Sequence, residues 1–118
     1  MQMTRRACLA PAVLVLVPLL PSASQEPRAI TITARKYEFT PNRIELKAGE
    51  PVEFTFEGED TTHGFSCKDL KLDRVTFSKE RPGRITVTPD KPGTYEFRCA
   101  HVCGLGHRRM KGEIVVTP

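Results

Sequence analysis

The sequence predicts an all-β domain, a sandwich or a barrel made of about seven short strands. Apolar and polar residues alternate in several short segments, as they do in half-buried strands. Ten prolines and eight glycines provide turns between these segments. No segment of the domain shows a persuasive helical periodicity. A chain of 118 residues with 39% hydrophobic residues can build one domain around its own core.

The alternating residues define the predicted strands in chain order. They are Ile30 and Ile32, Ile44 and Leu46, Val52 with Phe54 and Phe56, Ile85 and Val87, and Tyr95 and Phe97. The last predicted strand covers 113–117, and turn signals occur at 40–42, 48–51, 81–83 and 91–93. Residues 69–77 fit either a loop with Leu70 and Leu72 turned inward or a short strand.

The first 24 residues have the layout of a secretory signal peptide, with cleavage expected before Gln25. Arg5 and Arg6 precede an apolar run over 7–20, and small residues follow it. This run is shorter than the roughly 20 residues that a membrane span needs, which disfavours the alternative of an uncleaved anchor. Residues 25–118 would then form one domain in the periplasm or another exported location.

The charge of this domain is nearly balanced. The chain has 18 basic and 14 acidic residues, and two of the basic ones are Arg5 and Arg6 of the predicted signal. The balance excludes a strongly basic nucleic-acid binder and a highly acidic carrier. The length also excludes a large enzyme with a separate cofactor domain.

Residues that bind soft metal ions are concentrated in one loop between two predicted strands. Cys99, Cys103, His107 and Met110 follow one another at steps of four, four and three residues. Two thiolates, an imidazole and a thioether favour copper, with zinc as the competitor, over magnesium or calcium. Glycines within the loop allow it to turn tightly. His63, after a polar turn, is the candidate for a strong ligand from outside the loop.

Three other interpretations of these residues remain open from their types alone. Cys99 and Cys103 could form a disulfide in an oxidising compartment, but this explains neither His107 nor Met110. Met110 could be an ordinary core residue. A zinc site of two Cys and two His leaves Met110 unexplained, because thioethers are poor zinc ligands.

The second cysteine distinguishes this site from a mononuclear blue-copper site. Such a site needs one Cys, two His and usually an axial Met. Two thiolate sulfurs can instead bridge two copper ions, each of which then takes one histidine.

The chain resembles the cupredoxin copper domain of cytochrome c oxidase subunit II, the CuA domain that also occurs in nitrous oxide reductase. The family pattern is an upstream His followed by C-x-x-x-C-G-x-x-H-x-x-M, and segments 63–65, 99–110 and 110–116 match it in order. The resemblance covers nearly all of 25–118. It implies a cupredoxin-like Greek-key β-sandwich with a dinuclear copper centre.

The resemblance also implies the ligands of this centre and assigns no catalytic residue. The implied ligands are the bridging sulfurs of Cys99 and Cys103, the rings of His63 and His107, the thioether of Met110 and the backbone carbonyl oxygen of His101. The family usually has an acidic or amide residue at the position of His101, which argues against the magnesium site of many oxidases. We expect the ring of His101 to face solvent. The chain has no Trp, so the tryptophan patch that accepts electrons from cytochrome c in many oxidases is absent.

Cys67 lies outside the family pattern. Continued alternation from His63 would place it on the face of Phe65, about 13 Å along the strand from His63. That distance is too long for one small metal cluster. We therefore expect a buried core thiol, with a role in copper handling as the alternative.

The predicted function is single-electron transfer to or from a respiratory oxidase or reductase. The expected partners are a c-type cytochrome or membrane oxidase subunits, and no nucleic acid. We find no nucleophile–base pair or acidic dyad that would indicate catalysis. The alternatives are periplasmic copper storage or delivery during oxidase assembly, and a detached oxidase subunit that docks on a membrane partner. Met110 is the only Met beyond the predicted signal, which argues against delivery.

Overall fold

The computed structural model describes residues 10–17 and 26–118, and the folded domain lies in the second of these ranges. The expected cleavage site before Gln25 and most of the predicted signal peptide lie outside the described residues. Export therefore stays a prediction. In the described part of the chain, no helix is long and apolar enough to cross a membrane.

The described residues form nine β-strands and two 3-10 helices, with no α-helix. In chain order they are β1 (Arg28–Arg35), β2 (Glu38–Thr40), β3 (Arg43–Lys47), β4 (Val52–Gly58), β5 (His63–Phe65), η1 (Lys68–Leu70), β6 (Val75–Phe77), β7 (Gly83–Val87), β8 (Gly93–Arg98), η2 (His107–Arg109) and β9 (Lys111–Thr117).

Two sheets form a sandwich, and a short hairpin of β5 and β6 lies beside them. One sheet has the order β2-β1-β4-β7 and the other the order β3-β9-β8. The pairs β1–β4 and β3–β9 are parallel, whereas the other pairs are antiparallel. Parallel neighbours require crossover connections, which here pass between the two sheets. The predicted all-β Greek-key sandwich of the cupredoxin type is confirmed.

All six phenylalanines of the chain are buried in the core between the sheets. Phe54 and Phe56 alternate with half-buried residues along β4, as the sequence predicts. The ring of Phe56 lies 4.6 Å from that of Phe65 and 5.2 Å from that of Phe77, measured between centroids. The Phe77 ring in turn lies 6.4 Å from the ring of His63, so the aromatic core extends to the candidate site.

The strand count exceeds the predicted one because three strands are too short to show alternation. β2, β5 and β6 have three residues each. The ambiguous segment 69–77 combines both expected forms. Leu70 and Leu72 are half-buried against the core, and β6 follows them. The last strand begins at Lys111, two residues before the predicted start.

Candidate metal centre

The candidate site lies where β5 meets the loop of residues 99–110, here called the ligand loop. Ser66, just after β5, pairs with Arg98 at the end of β8 through two backbone hydrogen bonds of 3.0 and 2.9 Å. The Cys99 N–H donates to the carbonyl oxygen of Met110 at 3.1 Å, which closes the base of the ligand loop. These backbone contacts bring His63 next to the loop that carries the cysteines.

Gly64 allows this close approach. A Cβ atom on Gly64 would lie 2.8 Å from the backbone nitrogen of His101 and 2.9 Å from the carbonyl carbon of Ala100. Both are backbone atoms, which cannot move aside as a flexible side chain can. The absence of a side chain next to His63 is therefore a condition for the contact between β5 and the ligand loop.

Three donor residues from two elements form a compact cluster. The potential ligand atoms of His63, Cys99 and Cys103 all lie within 4.8 Å of one another. The two sulfurs are 3.8 Å apart, and both cysteines are free thiols. A disulfide would bring the sulfurs to about 2.05 Å, so the disulfide considered from the sequence is not formed between these residues.

Cys103 is at the centre of the remaining donors. Its Sγ atom lies 3.8 Å from Nδ1 of His107 and 3.8 Å from Sδ of Met110. On the other side, Sγ of Cys99 lies 3.1 Å from the carbonyl oxygen of His101. His107 and Met110 thus lie beside Cys103, and the carbonyl of His101 lies beside Cys99, while their role as metal ligands stays a prediction.

His63 presents one free nitrogen in a fully buried ring. The His63 side chain has no exposed surface, and its Nε2 atom lies 2.7 Å from Oδ1 of Asp60. Among the described residues, Nδ1 of His63 is buried and has no hydrogen-bond partner. Buried polar atoms without partners are rare in folded proteins. A metal ion bound to Nδ1 would satisfy this atom, so the site fits a metal.

Asp60 fixes the tautomer and the orientation of this ring. Its Oδ1 accepts the hydrogen of His63 Nε2, and its Oδ2 accepts the backbone N–H of Lys36 at 2.8 Å. Burial by itself raises the pKa of Asp60, but the hydrogen bonds from Lys36 and His63 outweigh it and lower the pKa overall. An ionised Asp60 keeps the proton of His63 on Nε2 and leaves Nδ1 as a lone-pair donor.

The cysteines and Met110 are protected from solvent. Cys99 is 6% exposed, Cys103 7% and Met110 1%. Burial, and then the neighbouring Cys99, raises the pKa of Cys103 from 9.0 to about 11. A metal ion must therefore displace a proton from this thiol when it binds.

The ring of Tyr37 supports the ligand loop, a role that no sequence pattern predicted. A Cβ atom on Gly106 would lie 2.4 Å from a ring carbon of Tyr37, and one on Gly104 would lie 2.5 Å from its hydroxyl oxygen. The ring therefore lies directly against the backbone of the loop. Because Tyr37 is far from the loop in sequence, no local pattern indicates this contact.

The remaining site predictions concern exposure. The His101 side chain is exposed, as expected, and so is Leu105, whereas His107 is half-buried.

Cys67 is fully buried, as predicted, and burial raises its pKa. The expectation that its strand continues from His63 is wrong, because β5 ends at Phe65 and the chain turns into η1. Cys67 does not belong to the donor cluster found among the described residues.

Comparison with known proteins places these observations in a family. The sequence model of the cupredoxin-like domain family matches residues 7–116 of the chain. Cytochrome c oxidase subunit 2 of Thermus thermophilus is 31% identical over 90 residues, which cover 74% of this chain and 64% of the relative. The chain spans less than two thirds of the length of the curated relatives it matches first.

Solved structures share the fold. The periplasmic domain of cytochrome oxidase subunit II from Bradyrhizobium japonicum has a TM-score of 0.70 and 16% identity, over 76% of this chain and 83% of that one. The metal-binding domain of the Cu(I)-exporting P-type ATPase of Streptococcus pneumoniae, solved with Cu(I), has a TM-score of 0.61 and 25% identity, over 76% and 85%. The chain therefore belongs to the cupredoxin-like domain family, as a relative of cytochrome c oxidase subunit 2 with a cluster of copper-type ligand residues.

Proposed function

We propose that this domain is an exported carrier of single electrons that holds two copper ions in a dinuclear centre of the CuA type. The observation that carries the proposal is the pair of buried thiols of Cys99 and Cys103, whose sulfurs are 3.8 Å apart. His63 of β5 lies next to this pair. The proposed ligands are His63, Cys99, the carbonyl oxygen of His101, Cys103, His107 and Met110.

The donor chemistry supports copper. Thiolate, imidazole and thioether are soft or intermediate ligands, and carboxylates are absent from the donor cluster of the described residues. The Nδ1 atom of His63, which is buried and has no hydrogen-bond partner among the described residues, supplies a nitrogen donor. Copper bound in such a site supplies reversible one-electron chemistry.

The number of thiols supports two ions rather than one. A mononuclear blue-copper site uses a single Cys, which would leave one of Cys99 and Cys103 as an unused buried thiol. Both sulfurs instead lie close enough together to share two ions. The protein fixes this pair between β8 and β9 and excludes water from it, because the sulfur atoms and Met110 are almost completely buried.

The proposed partners are a c-type cytochrome, or subunits of a membrane oxidase or reductase. This proposal follows from the relatives, which are subunits of terminal oxidases. The layout of residues 1–24 supports export to the periplasm. The half-buried His107, whose Nδ1 lies 3.8 Å from Sγ of Cys103, connects the donor cluster with the surface, where a partner could approach.

A second candidate function is copper storage or delivery. Its support is the structural similarity to the metal-binding domain of a Cu(I)-exporting ATPase. Delivery requires ligands that can exchange copper with an acceptor. The complete burial of His63 and the near-complete burial of Met110 instead favour retention.

Metal analysis combined with electron paramagnetic resonance tests the dinuclear centre. We expect two copper ions per chain and a hyperfine pattern from two equivalent copper nuclei. Cys99→Ser should abolish this pattern, whereas Cys67→Ser, at another buried free thiol, should preserve it. One copper per chain with a four-line spectrum would refute the dinuclear proposal.

A transfer assay separates the two candidate functions. The reduced, copper-loaded protein is mixed with an oxidised c-type cytochrome and, separately, with a copper-free oxidase domain. A carrier should reduce the cytochrome and keep its copper. Loss of copper to the oxidase domain, with negligible electron exchange, would instead identify a delivery protein.

A further inference from the structure

The outer end of the ligand loop exposes large apolar side chains. Val102 is 77% exposed and Leu105 fully exposed, and within residues 26–118 they are the only large hydrophobic residues that are exposed. We call this pair the loop tip. Both residues lie within two positions of Cys103, so the loop tip is the surface next to the donor cluster.

Positive charge borders the loop tip on the same loop. Arg108 and Arg109 are exposed in η2, and neither forms an ion pair with any residue that the structure describes. The ligand loop contains no Asp or Glu. Because the charges of the whole domain nearly cancel, this excess of positive charge is local.

A groove of about 390 Å³ lies beside the ligand loop, and His107 and Cys99 are among its lining residues. Its charged lining residues are Lys68, Asp69, Arg74, Glu96 and Arg98. Glu96 and Arg98 form an ion pair with each other, which leaves two cations against one anion. The groove therefore adds a small excess of positive charge on the side of the donor cluster that Cys99 and His107 line.

We propose that the loop tip and its basic border dock an electron-transfer protein whose cofactor edge lies in an apolar patch bordered by carboxylates. The inference rests on the proposed function and names the chemistry of the partner. Apolar contact at the loop tip would bring the two cofactors close together, and the arginines would steer the encounter. A small patch of this kind suits a transient redox complex.

Charge argues against a second copy of this chain as the occupant. A twofold contact through the loop tip would bring Arg108 and Arg109 of one copy close to the same residues of the other. The ligand loop offers no carboxylate to compensate that repulsion. A partner with acidic side chains around an apolar patch would complement both the apolar loop tip and the arginines that border it.

Binding to one cytochrome in two charge states tests the inference. The probes are mitochondrial cytochrome c, whose surface is basic, and the same protein after succinylation of its lysines, which makes it acidic. Amide chemical shifts of the reduced, copper-loaded protein report where each probe binds. We expect shifts at Val102, Leu105 and Arg109 with the succinylated form. The affinity for the native form should be lower by about tenfold or more.

Charge reversal provides matched variants. Arg108→Glu with Arg109→Glu should weaken binding of the succinylated cytochrome about tenfold or more. Lys47→Glu with Lys91→Glu makes the same change in net charge at the opposite end, since Lys47 pairs with the end of β9 and Lys91 precedes β8. This control should change the affinity less than about twofold. Arg109→Gln alone should act in the same direction as the double reversal, with a smaller effect.

The outcomes separate the docking surface from the proposed function. Equal losses in the two double variants, stronger binding of the native cytochrome, or no shifts at the loop tip would overturn the docking surface. Docking at the loop tip without electron exchange would support the surface and contradict the carrier function. Electron exchange with shifts confined to another face would support the carrier and overturn the surface. The copper spectrum of each variant checks that the centre is intact.

Discussion

Asp60 and the buried His63 form a partly buried hydrogen bond of 2.7 Å that determines which nitrogen of the neutral His63 ring is free. Asp60 Oδ1 accepts the hydrogen of Nε2, so the lone pair of the neutral ring lies on Nδ1, which has no hydrogen-bond partner in the described structure. The other oxygen of Asp60 accepts the backbone N–H of Lys36, between β1 and β2. The carboxylate thus ties this turn to the orientation of the histidine ring.

Removal of this carboxylate should weaken copper binding. We expect Asp60→Ala to lower copper affinity about 10–100-fold, because the ring loses the group that fixes its tautomer and orientation. Asp60→Asn retains an oxygen acceptor and should lose less. Competition with a copper chelator measures the affinities. Asp90→Ala, at an exposed carboxylate on the loop between β7 and β8, is the control. Equal affinity in the wild type and Asp60→Ala would show that the hydrogen bond does not organise the site.

The donors could be predicted from the sequence because most of them lie in one loop. Cys99, Cys103, His107 and Met110 are separated by fixed short steps, and short loops between adjacent strands keep such residues together. His63 required the family pattern, since its approach depends on the contact of Gly64 with the ligand loop.

The supporting residues could not be predicted in the same way. The contact of Tyr37 with the ligand loop follows from how β1 and β2 pack, and no local sequence signal records it. The carboxylate of Asp60 lies three residues before His63, a spacing that is common in turns without any such role. The short strand β5 also carries too few residues to show where alternation stops, which explains the wrong geometry expected for Cys67.

The ring of Tyr37 should stabilise both the fold and the metal site. Tyr37→Ala removes the surface on which the backbone of Gly104 and Gly106 rests, so we expect about 1–3 kcal/mol less stability and faster copper loss. Tyr37→Phe keeps the ring and should retain copper. Chemical unfolding and the rate of copper transfer to a chelator measure the two effects.

The second tyrosine of the chain provides the control for this prediction. Tyr95 is also half-buried, but its hydroxyl donates to the carbonyl of Lys91, at the opposite end of β8 from the ligand loop. Tyr95→Ala should reduce stability and leave the rate of copper loss from the folded protein unchanged. Equal copper loss in both alanine variants would indicate a general effect of instability.

A charge at the loop tip should slow electron exchange. We expect Leu105→Glu to lower the second-order rate with a c-type cytochrome, since an apolar contact is replaced by a hydrated carboxylate. The fully exposed position of Leu105 means that stability and the copper spectrum should not change. Leu105→Ala should show a smaller decrease. Stopped-flow absorbance measures the rates, and an unchanged rate in Leu105→Glu would exclude the loop tip from the exchange route.

Proton release should accompany copper binding, because Cys103 keeps its proton in the metal-free protein. Its pKa is raised from 9.0 to about 11, first by burial and then by Cys99. A raised pKa in the folded state stabilises the fold below the unfolded pKa, and this contribution is lost as pH rises from about 9 towards 11. The stability of the metal-free wild type should therefore fall relative to Cys103→Ser across this window, as measured by chemical unfolding. At neutral pH, a pH indicator in weak buffer should detect protons released on copper addition, with fewer from Cys103→Ser and no change in Cys67→Ser. Copper uptake without proton release would mean that the thiols are already ionised in the folded protein.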